Sequence, residues 1–484
     1  MDGRRCFNLP GEVSGMSNLV SFDGRVVIIG FGSLGPGVLP LLLRHFNLDA
    51  SRVTIITAEE RGHDIADKYG VTFINDPLTP DNYRDRLIPL LKQGDFLLNV
   101  SVDVSSVALI ELAWEVGAFY LDTCIEPWAG GYTDPSLTPS ERTNYALRET
   151  ALKLKAAGKQ PTAIITNGAN PGLVSFFTKQ ALLDIARDTG VETAVPQTRT
   201  QWAELAEKLG IKTIHVAERD TQVSASQPKQ VGEFVNTWSI DGFVGEGCQP
   251  AELGWGSHER HFPHDGRRHD FGSDCAIYLM RPGASTMVRT WTPNEGPFQG
   301  FLVTHNESIS IADYFTLKDG DALRYRPTVH YAYHPCDAAV LSVHELAGKT
   351  WQQQPKQRLM MKEITGGVDE LGVLLMGHAK GAYWYGSQLS IHQARELCPH
   401  NNATSLQVTA TILAGMVWAL ENPRLGLVEP DEMDFQRCLE IARPYLGPVV
   451  GVYTDWTPLE RREELFPEDL DRDDPWQFKN FRVV

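Results

Sequence analysis

The chain is 484 residues long and carries 61 acidic and 44 basic residues, which gives a formal net charge of −17. Nucleic acids and anionic membranes are bound by clusters of lysine and arginine, so this charge argues against both as partners. It is compatible with cationic small molecules. No apolar run approaches the roughly 18 residues of a membrane span, and we expect a soluble, cytoplasmic protein.

The cysteines and histidines do not form a recognisable metal or disulfide pattern. The seven cysteines are scattered without a CxxC pair, which is typical of a reduced cytosolic protein. Four histidines lie in SHERHFPHDGRRHD (257–270), but their spacing does not match the helical HExxH pattern. Pro263 and Gly266 predict a loop there. We therefore expect no metal ion.

Residues 1–22 are predicted to be a loose leader without a signal sequence, because MDGRRCFNLPGEVSG has no apolar core. From residue 23 to residue 172, short apolar strands alternate with helices. The segments that contain predicted strands are 25–46, 53–57, 65–75, 95–101, 118–124 and 163–172. This alternation predicts an α/β fold in which a doubly wound parallel sheet of the Rossmann type is covered on both faces.

The pattern changes near residue 190, where segments rich in tryptophan, glycine and histidine begin. Alternating apolar residues in 275–283 and 300–311 predict strands of a mixed or antiparallel sheet. We expect a second, α+β domain over 173–400 that carries the substrate end of the site. The remaining segment, 401–484, is expected to supply a buried helix at 403–421 and a tail that packs back on the two domains.

The stretch 233–255, EFVNTWSIDGFVGEGCQPAELGW, interleaves Trp238 and Trp255 with four acidic residues and contains no lysine or arginine. An amphipathic strand has this composition, and so does a pocket for a small cation. Glu233, Asp241 and Trp255 are expected to be structural residues.

A glycine motif follows the first predicted strand and opens a helix. It is the GxGxxG sequence 30–35, and its cofactor-binding candidates are Gly30, Gly32, Ser33, Leu34 and Gly35. The glycines permit a tight turn and let a pyrophosphate approach the helix N-terminus. This context predicts a dinucleotide-binding site.

The second predicted strand ends in Thr57, where a dinucleotide-binding domain usually has an acid for the adenosine ribose. Glu59 is the next acid that could reach the ribose. No arginine stands directly at the strand end to bind a 2′-phosphate, and Arg61 is the nearest one. We predict NAD rather than NADP as the cofactor.

Polar residues follow three further strands, where a doubly wound sheet binds its ligands. The strings are NVSVD (99–103), DTCIEPW (122–128) and TNGANPG (166–172). Their candidates for lining the nicotinamide and the substrate are Asn99, Ser101, Asp103, Thr123, Glu126, Asn170 and Pro171. Each of these residues taken alone is also typical of a helix cap or a turn.

In the second domain, acids and a histidine lie beside apolar strand residues. The candidates are Glu218, Glu246, His305 and Asp369. Singly, each is more typical of a surface or capping position, but several such strings in one acidic domain favour an anionic pocket. The chain has no GxSxG serine elbow, so the chemistry should come from the cofactor.

The longer strings resemble the bacterial homospermidine synthases. Among them are IGFGSLGPGVLPLL, FVNTWSIDGFVGEGCQPAELGWG, FLVTHNESISIADY and HYAYHPCDAAVLSVHE, and the resemblance runs from about residue 24 to the C-terminus. It implies a relative of the saccharopine-dehydrogenase-like reductases, with a Rossmann domain and an α/β domain that also makes a homodimer.

The resemblance also implies an activity. Members of the family retain NAD and convert two putrescine molecules into homospermidine and ammonia, without net oxidation or reduction. Spermidine can also serve as the aminobutyl donor and then releases 1,3-diaminopropane.

The family's functional residues carry over to particular positions. Trp238 corresponds to the tryptophan that holds the cationic substrate. The remaining pocket residues implied by the resemblance are Glu126, Asn170, Glu218, Glu246, His305 and Asp369. An acid or His305 must act as the base, and the sequence leaves this choice open. The family has Asp-Pro where this chain has Thr57.

Two other functions are compatible with the motifs. One is an NAD(P)-dependent reductase of the saccharopine or carboxynorspermidine type, which joins an amine to an aldehyde. Its substrates carry α-carboxylates and call for arginines, whereas the candidate strings contain only Arg219, beside Glu218. The other is an NAD-binding regulator without turnover, which the density of acids and aromatic residues in the second domain argues against.

Overall fold

The computed structural model describes residues 19–484. Most of the predicted leader, residues 1–18, lies outside the described residues. Of the rest, Val20 forms an isolated β-bridge with Phe46, and the buried ring of Phe22 packs edge-on against Phe46. The N-terminal half of the chain then alternates strands and helices. Its elements are β1 (Val26–Ile29), α1 (Gly35–His45), β2 (Val53–Thr57), α2 (His63–Tyr69), β3 (Thr72–Asn75), α3 (Tyr83–Leu87), β4 (Phe96–Asn99), α4 (Ser106–Val116), β5 (Phe119–Asp122), α5 (Asn144–Leu152), β6 (Ala163–Ile164) and α6 (Leu173–Asp188).

The middle of the chain is richer in strands. Its elements are α7 (Arg199–Leu209), β7 (Thr213–Asp220), β8 (Glu233–Asn236), α8 (Ile240–Cys248), β9 (Pro250–Gly254), β10 (Gly266–Arg268), β11 (Ala276–Pro282), β12 (Met287–Thr292), β13 (Gly296–Phe301), α9 (Asn306–Tyr314), β14 (Leu317–Asp319), β15 (Ala322–Tyr325), β16 (Thr328–His334), α10 (Asp337–Gly348), β17 (Lys356–Leu359), β18 (Val368–His378), β19 (Gly381–Ser390) and α11 (Ile391–Leu397). The C-terminal elements are α12 (Ala403–Glu421), β20 (Leu427–Val428), α13 (Phe435–Ala442), β21 (Val449–Thr454) and α14 (Phe478–Phe481).

The first sheet has seven strands in the order β20-β6-β5-β4-β1-β2-β3, and all of them are parallel. The predicted doubly wound parallel sheet is therefore confirmed. The strand order reverses between β1 and β4, which makes a crevice at the carboxyl ends of these strands. The glycine loop after β1 and the polar string after β4 meet at this crevice.

The second sheet has ten strands and is mixed, as predicted. Its path runs β10-β11-β9-β16-β7-β18-β19-β21, with the β12–β13 hairpin attached to β16. Strands β7 and β16 are parallel, and β18 runs antiparallel to β7. The C-terminal segment contributes to both sheets, because β20 pairs with β6 and β21 pairs with β19.

Helix α12 packs against both domains and is 83% buried over its most apolar 18-residue window. Its length and apolar composition are those of a membrane-spanning helix, but a helix buried in a protein core has the same length and composition. It contacts α1 of the first domain and β18 and β19 of the second. The prediction of a buried helix at 403–421 is confirmed.

One predicted strand is wrong in part. The segment 300–311 leaves the sheet after Phe301, and α9 begins at Asn306. Most of α9 is buried all round, so its apolar residues show no helical stripe that would reveal the helix. The stretch 233–255 is likewise not one strand, because α8 separates β8 from β9. Ser239 caps α8 by accepting a hydrogen bond from Gly242.

Candidate active site

A cavity of about 540 Å³ opens at the crevice of the first sheet and reaches the face of the second. Seven carboxylates line the cavity. Among residues 19–484, no lysine or arginine lines it. The seven acids are Glu59, Asp76, Asp103, Glu126, Glu218, Asp241 and Glu246. The cavity is therefore strongly anionic, and its two walls come from different domains.

The glycine loop forms one end of the cavity, and its three glycines have different roles. Gly30 has φ +84°, and an added Cβ would lie 2.7 Å from the Cα of Ser101. A Cβ on Gly35 would collide with the ring of Phe31. A Cβ on Gly32 would meet no protein atom within 4 Å. Gly30 and Gly35 thus permit close packing of the loop, whereas Gly32 leaves space open for a ligand.

The start of α1 also suits a pyrophosphate. Ser33 and Leu34 line the cavity, and no side chain caps the helix. Free backbone N–H groups at a helix N-terminus, together with the helix dipole, attract anions. The residues present therefore fit a dinucleotide at this end.

Two acids stand near the place where the adenosine ribose is expected. Thr57 lines the cavity, and its Oγ1 accepts a hydrogen bond from the backbone N–H of Glu59. Asp76, directly after β3, also lines the cavity, and its backbone N–H donates to the Thr57 carbonyl. Sequence spacing did not identify Asp76, although an acid directly after the third strand was a usable signal. Each acid has an arginine partner, Arg61 for Glu59 and Arg86 for Asp76.

The polar residues at and after the end of β4 differ in position: one supports the cavity wall from behind, and the others line the cavity. Asn99 is buried behind the cavity wall, where its Oδ1 accepts a hydrogen bond of 2.6 Å from Ser101 Oγ. Ser101 and Asp103 line the cavity. The backbone N–H of Asp103 donates to Glu126, and burial raises the pKa of Glu126 to about 8. Burial and the nearby Asp241 raise the pKa of Asp103.

The strings after β5 and β6 complete this wall. Thr123, Asn170 and Pro171 line the cavity. Asn170 Nδ2 donates a hydrogen bond of 3.0 Å to Glu218 Oε2, which connects the first domain to β7 of the second.

On the second sheet, three buried carboxylates share one face. Glu218 and Asp220 are two residues apart on β7, and Asp369 pairs with Asp220 in the β18 register. Burial raises the pKa of Glu218 to about 7 and that of Asp220 to about 6. Burial, and then Glu218 and Asp220, raise the pKa of Asp369. Arg219 belongs to the opposite face and pairs with Glu295 and Asp337.

Only Glu218 of these three acids lines the cavity. Asp369 lies behind Thr404, which lines the cavity and donates a hydrogen bond to Asp369 Oδ2. Asp220 accepts hydrogen bonds from Thr237 and Gln222. The sequence analysis did not single out Asp220, because its role depends on the sheet register.

An aromatic wall stands beside these acids. The indole of Trp238 donates from Nε1 to the hydroxyl of Tyr333 at 2.8 Å and packs on Phe243 with ring centroids 5.3 Å apart. Tyr331 and Tyr333 are stacked at 5.0 Å, and the Tyr331 hydroxyl donates to Glu218. In the sequence, the alternating tyrosines of HYAYH are the pattern from which this wall could have been predicted.

His305 lies between two carboxylates at the start of α9. Its Nε2 is 2.9 Å from Glu246 Oε2, and its Nδ1 is 3.4 Å from Glu307 Oε1. Burial opposes the charged form, but Glu246 and Glu307 outweigh it and hold the pKa of His305 well above its ordinary value. The two carboxylates therefore favour the imidazolium form of His305.

Of three other acidic and aromatic residues in 233–255, two have structural contacts and one lines the cavity. Glu233 pairs with Arg358, and Trp255 packs in the core on the far side of the second sheet. Asp241, expected to be structural, lines the cavity.

The histidines of 257–270 bind separate partners. His258 contacts the Trp476 carbonyl, His261 contacts Asp471, and His269 stacks on Tyr145. Across residues 19–484, no three side chains of His, Cys, Asp or Glu are grouped so that they could hold a metal ion.

The fold and the cavity define a two-domain, dinucleotide-binding enzyme with an acid-lined cavity at the domain junction. Two family models match the chain: the saccharopine dehydrogenase NADP binding domain over residues 26–164 and the saccharopine dehydrogenase C-terminal domain over residues 168–453. Homospermidine synthase from Blastochloris viridis is 57% identical over 469 residues, 95% of this chain and 98% of that relative. The chain belongs to the homospermidine synthase family.

Two further comparisons agree. Homospermidine synthase from Mesorhizobium japonicum is 53% identical over 470 residues, which cover 95% of this chain and 96% of that relative. The crystal structure of the Legionella pneumophila homospermidine synthase in complex with NAD is similar with a TM-score of 0.91 and 53% identity. That similarity covers 96% of this chain and 99% of the other. The resemblance found in the sequence is confirmed.

The open space at Gly32 predicts a variant that folds but binds the dinucleotide poorly. In Gly32→Ala the new methyl group meets no protein atom, so the midpoint of thermal unfolding of the cofactor-free protein should stay unchanged. The methyl group occupies space beside the helix N-terminus, so NAD affinity measured by calorimetry should fall at least about tenfold. Gly348→Ala, also in open space but outside the cavity, is the matched control. Unchanged NAD affinity in Gly32→Ala would contradict the assignment of the loop.

Proposed function

We propose that this protein is an NAD-dependent aminobutyl transferase that converts two putrescine molecules into homospermidine and ammonia. The observation that carries the proposal is the cavity beside the glycine loop, which is lined by seven carboxylates and by no lysine or arginine of the described residues. A diammonium substrate needs such a pocket. A substrate with an α-carboxylate needs arginine, and the arginine nearest in sequence, Arg219, is engaged elsewhere.

The cofactor we propose is NAD, held by the glycine loop and by the strand ends. Its contacts are assigned to Gly30, Gly32, Ser33, Leu34, Thr57, Ser101, Asp103, Thr123, Asn170 and Pro171, with Gly35 and Asn99 supporting the loop and the wall. When bound, NAD accepts a hydride from the carbon beside one substrate nitrogen and returns it to the new carbon–nitrogen double bond. The family's complex with NAD supports this choice.

The carboxylates bind the two charged ends of the diamine. We assign one ammonium to Glu218, which is backed by Asp220 and Asp369, and the other to Glu126 and Glu246. Trp238 and the stacked tyrosines provide an apolar wall for the butyl chain between them. An indole face near a cation contributes about 0.5–2 kcal/mol, and this attraction persists while the charge moves along the substrate.

A base must remove a proton from the reacting amine before its carbon can lose a hydride. We assign this role to Glu218, whose pKa of about 7 leaves it ready to accept or release a proton near neutral pH. Asn170 and Tyr331 both donate to its Oε2 and fix its orientation. The imidazolium form of His305, which its two carboxylates favour, cannot accept another proton.

The same carbon then changes its nitrogen partner. Ammonia leaves, the amine of a second putrescine takes its place, and reduction of the resulting double bond gives homospermidine. Atoms balance, because two C₄H₁₂N₂ give C₈H₂₁N₃ and NH₃, and the redox state of the cofactor is restored. Spermidine in place of the first putrescine releases 1,3-diaminopropane instead of ammonia. We further propose a cytoplasmic homodimer, on the basis of the composition and the family resemblance.

Incubation of the purified protein with putrescine and NAD⁺ tests the proposal. We expect homospermidine and ammonia in a 1:1 ratio, with no NADH accumulating at 340 nm, because the hydride returns to the substrate. Steady release of NADH, or no homospermidine, would contradict it. Saccharopine-type substrates, glutamate with an aldehyde and NADPH, are the control for the reductase alternative and should give no product.

The indole of Trp238 should contribute to binding of the cationic substrate. Trp238→Phe keeps an aromatic face and is expected to retain part of kcat/KM. Trp238→Ala is expected to lose about thirtyfold, which corresponds to about 2 kcal/mol for a desolvated cation–π contact. Trp351→Ala removes a half-buried tryptophan outside the cavity and serves as the control for lost packing. Wild-type turnover in Trp238→Ala would contradict the cation–π role.

A further inference from the structure

Glu307 is a fully buried carboxylate in the first turn of α9. Neither of its side-chain oxygens accepts a hydrogen bond within residues 19–484. Its one ion pair in this part of the chain is with His305, whose Nδ1 lies 3.4 Å from Glu307 Oε1. Sequence patterns gave no reason to select this residue.

A buried carboxylate without a partner is costly. Removing such a charge from water costs several kcal/mol unless an opposite charge compensates. Glu307 lies in the first turn of α9, where the helix dipole contributes only about 0.3–1 kcal/mol. The main compensation must therefore come from the imidazolium of His305.

The groups around His305 favour its positively charged form. Helix α8 presents Glu246 to Nε2, and α9 presents Glu307 to Nδ1. Strand β16 places the ring of Tyr331 at 4.4 Å, and beyond it Glu218 on β7 interacts electrostatically with His305. A neutral imidazole has one N–H donor and would leave one carboxylate facing a lone pair, whereas the imidazolium has two donors.

We propose that Glu307 is a positioning residue that holds His305 as a permanent imidazolium, which in turn fixes Glu246 in the substrate pocket. The inference rests on the proposed function, because it assigns roles within the same reaction. The unit Glu246–His305–Glu307 then carries a net charge of −1 and presents one oriented carboxylate to the substrate. The imidazolium also favours the ionised form of Glu218, which keeps Glu218 available as the base.

The variant Glu307→Gln tests this role, because it keeps the shape of the side chain and removes its charge. The protonation of His305 is followed by NMR of ¹⁵N-histidine-labelled protein between pH 6 and pH 10, with the signal assigned through His305→Gln. In the wild type both ring nitrogens should stay protonated beyond neutral pH. In Glu307→Gln the deprotonation midpoint should move down by about one pH unit or more.

The pH profile of turnover gives a second readout. We expect kcat/KM of Glu307→Gln to be close to that of the wild type at pH 6.5 and about tenfold lower at pH 9, because His305 loses its proton between these values. Glu370→Gln, which makes the same change at a buried carboxylate outside the cavity, is the control and should show a uniform change at all pH values.

The outcomes separate the inference from the proposed function. If His305 deprotonates at the same pH in Glu307→Gln and in the wild type, the positioning role is wrong, whatever the enzyme makes. If the NMR midpoint moves as expected but no homospermidine is formed by the wild type, the charge relation holds and the proposed function fails.

Discussion

The site depends on negative charge at the junction of two domains, in a cavity that no lysine or arginine of residues 19–484 lines. Burial raises the pKa values of Glu126, Glu218 and Asp220, which means that ionising these acids in the free protein costs free energy. A positively charged ligand removes this cost. The pocket is therefore built for a cation, and part of the stability that the fold gives up there is recovered when the substrate binds.

The two domains supply different parts of the chemistry. In the first domain, the glycine loop after β1 leaves open space at Gly32, so the cofactor reaches the crevice between β1 and β4. The second sheet presents acids and tyrosines from β7 and β16. Trp238 lies just before α8, and α8 itself adds Glu246. The hydrogen bond from Asn170 to Glu218 ties the two parts together and orients the proposed base toward the cofactor's domain.

Local spacing was sufficient to predict the first domain, because GxGxxG and the polar strand ends are short-range signals. It was not sufficient for the second domain. Asp220 and Tyr333 belong to the site only through the strand register, and Glu307 only through the ring of His305. The predicted strand at 300–311 failed for a related reason, because a helix buried on all sides has no amphipathic period. Resemblance to a family assigned roles to acids that local patterns had already offered as candidates, and it did not identify Asp220 or Glu307.

The central claim, that buried acids of raised pKa bind the diammonium substrate, predicts proton release on binding. Calorimetric titration of putrescine into the NADH-loaded protein, in buffers of different ionisation enthalpy at pH 7, measures this directly without turnover. Because Glu126 and Glu218 have pKa values of about 8 and about 7, the cation should displace roughly one proton. Release should fade above pH 9, where both acids are already ionised. Binding at pH 7 without proton release, or with proton uptake, would contradict the account.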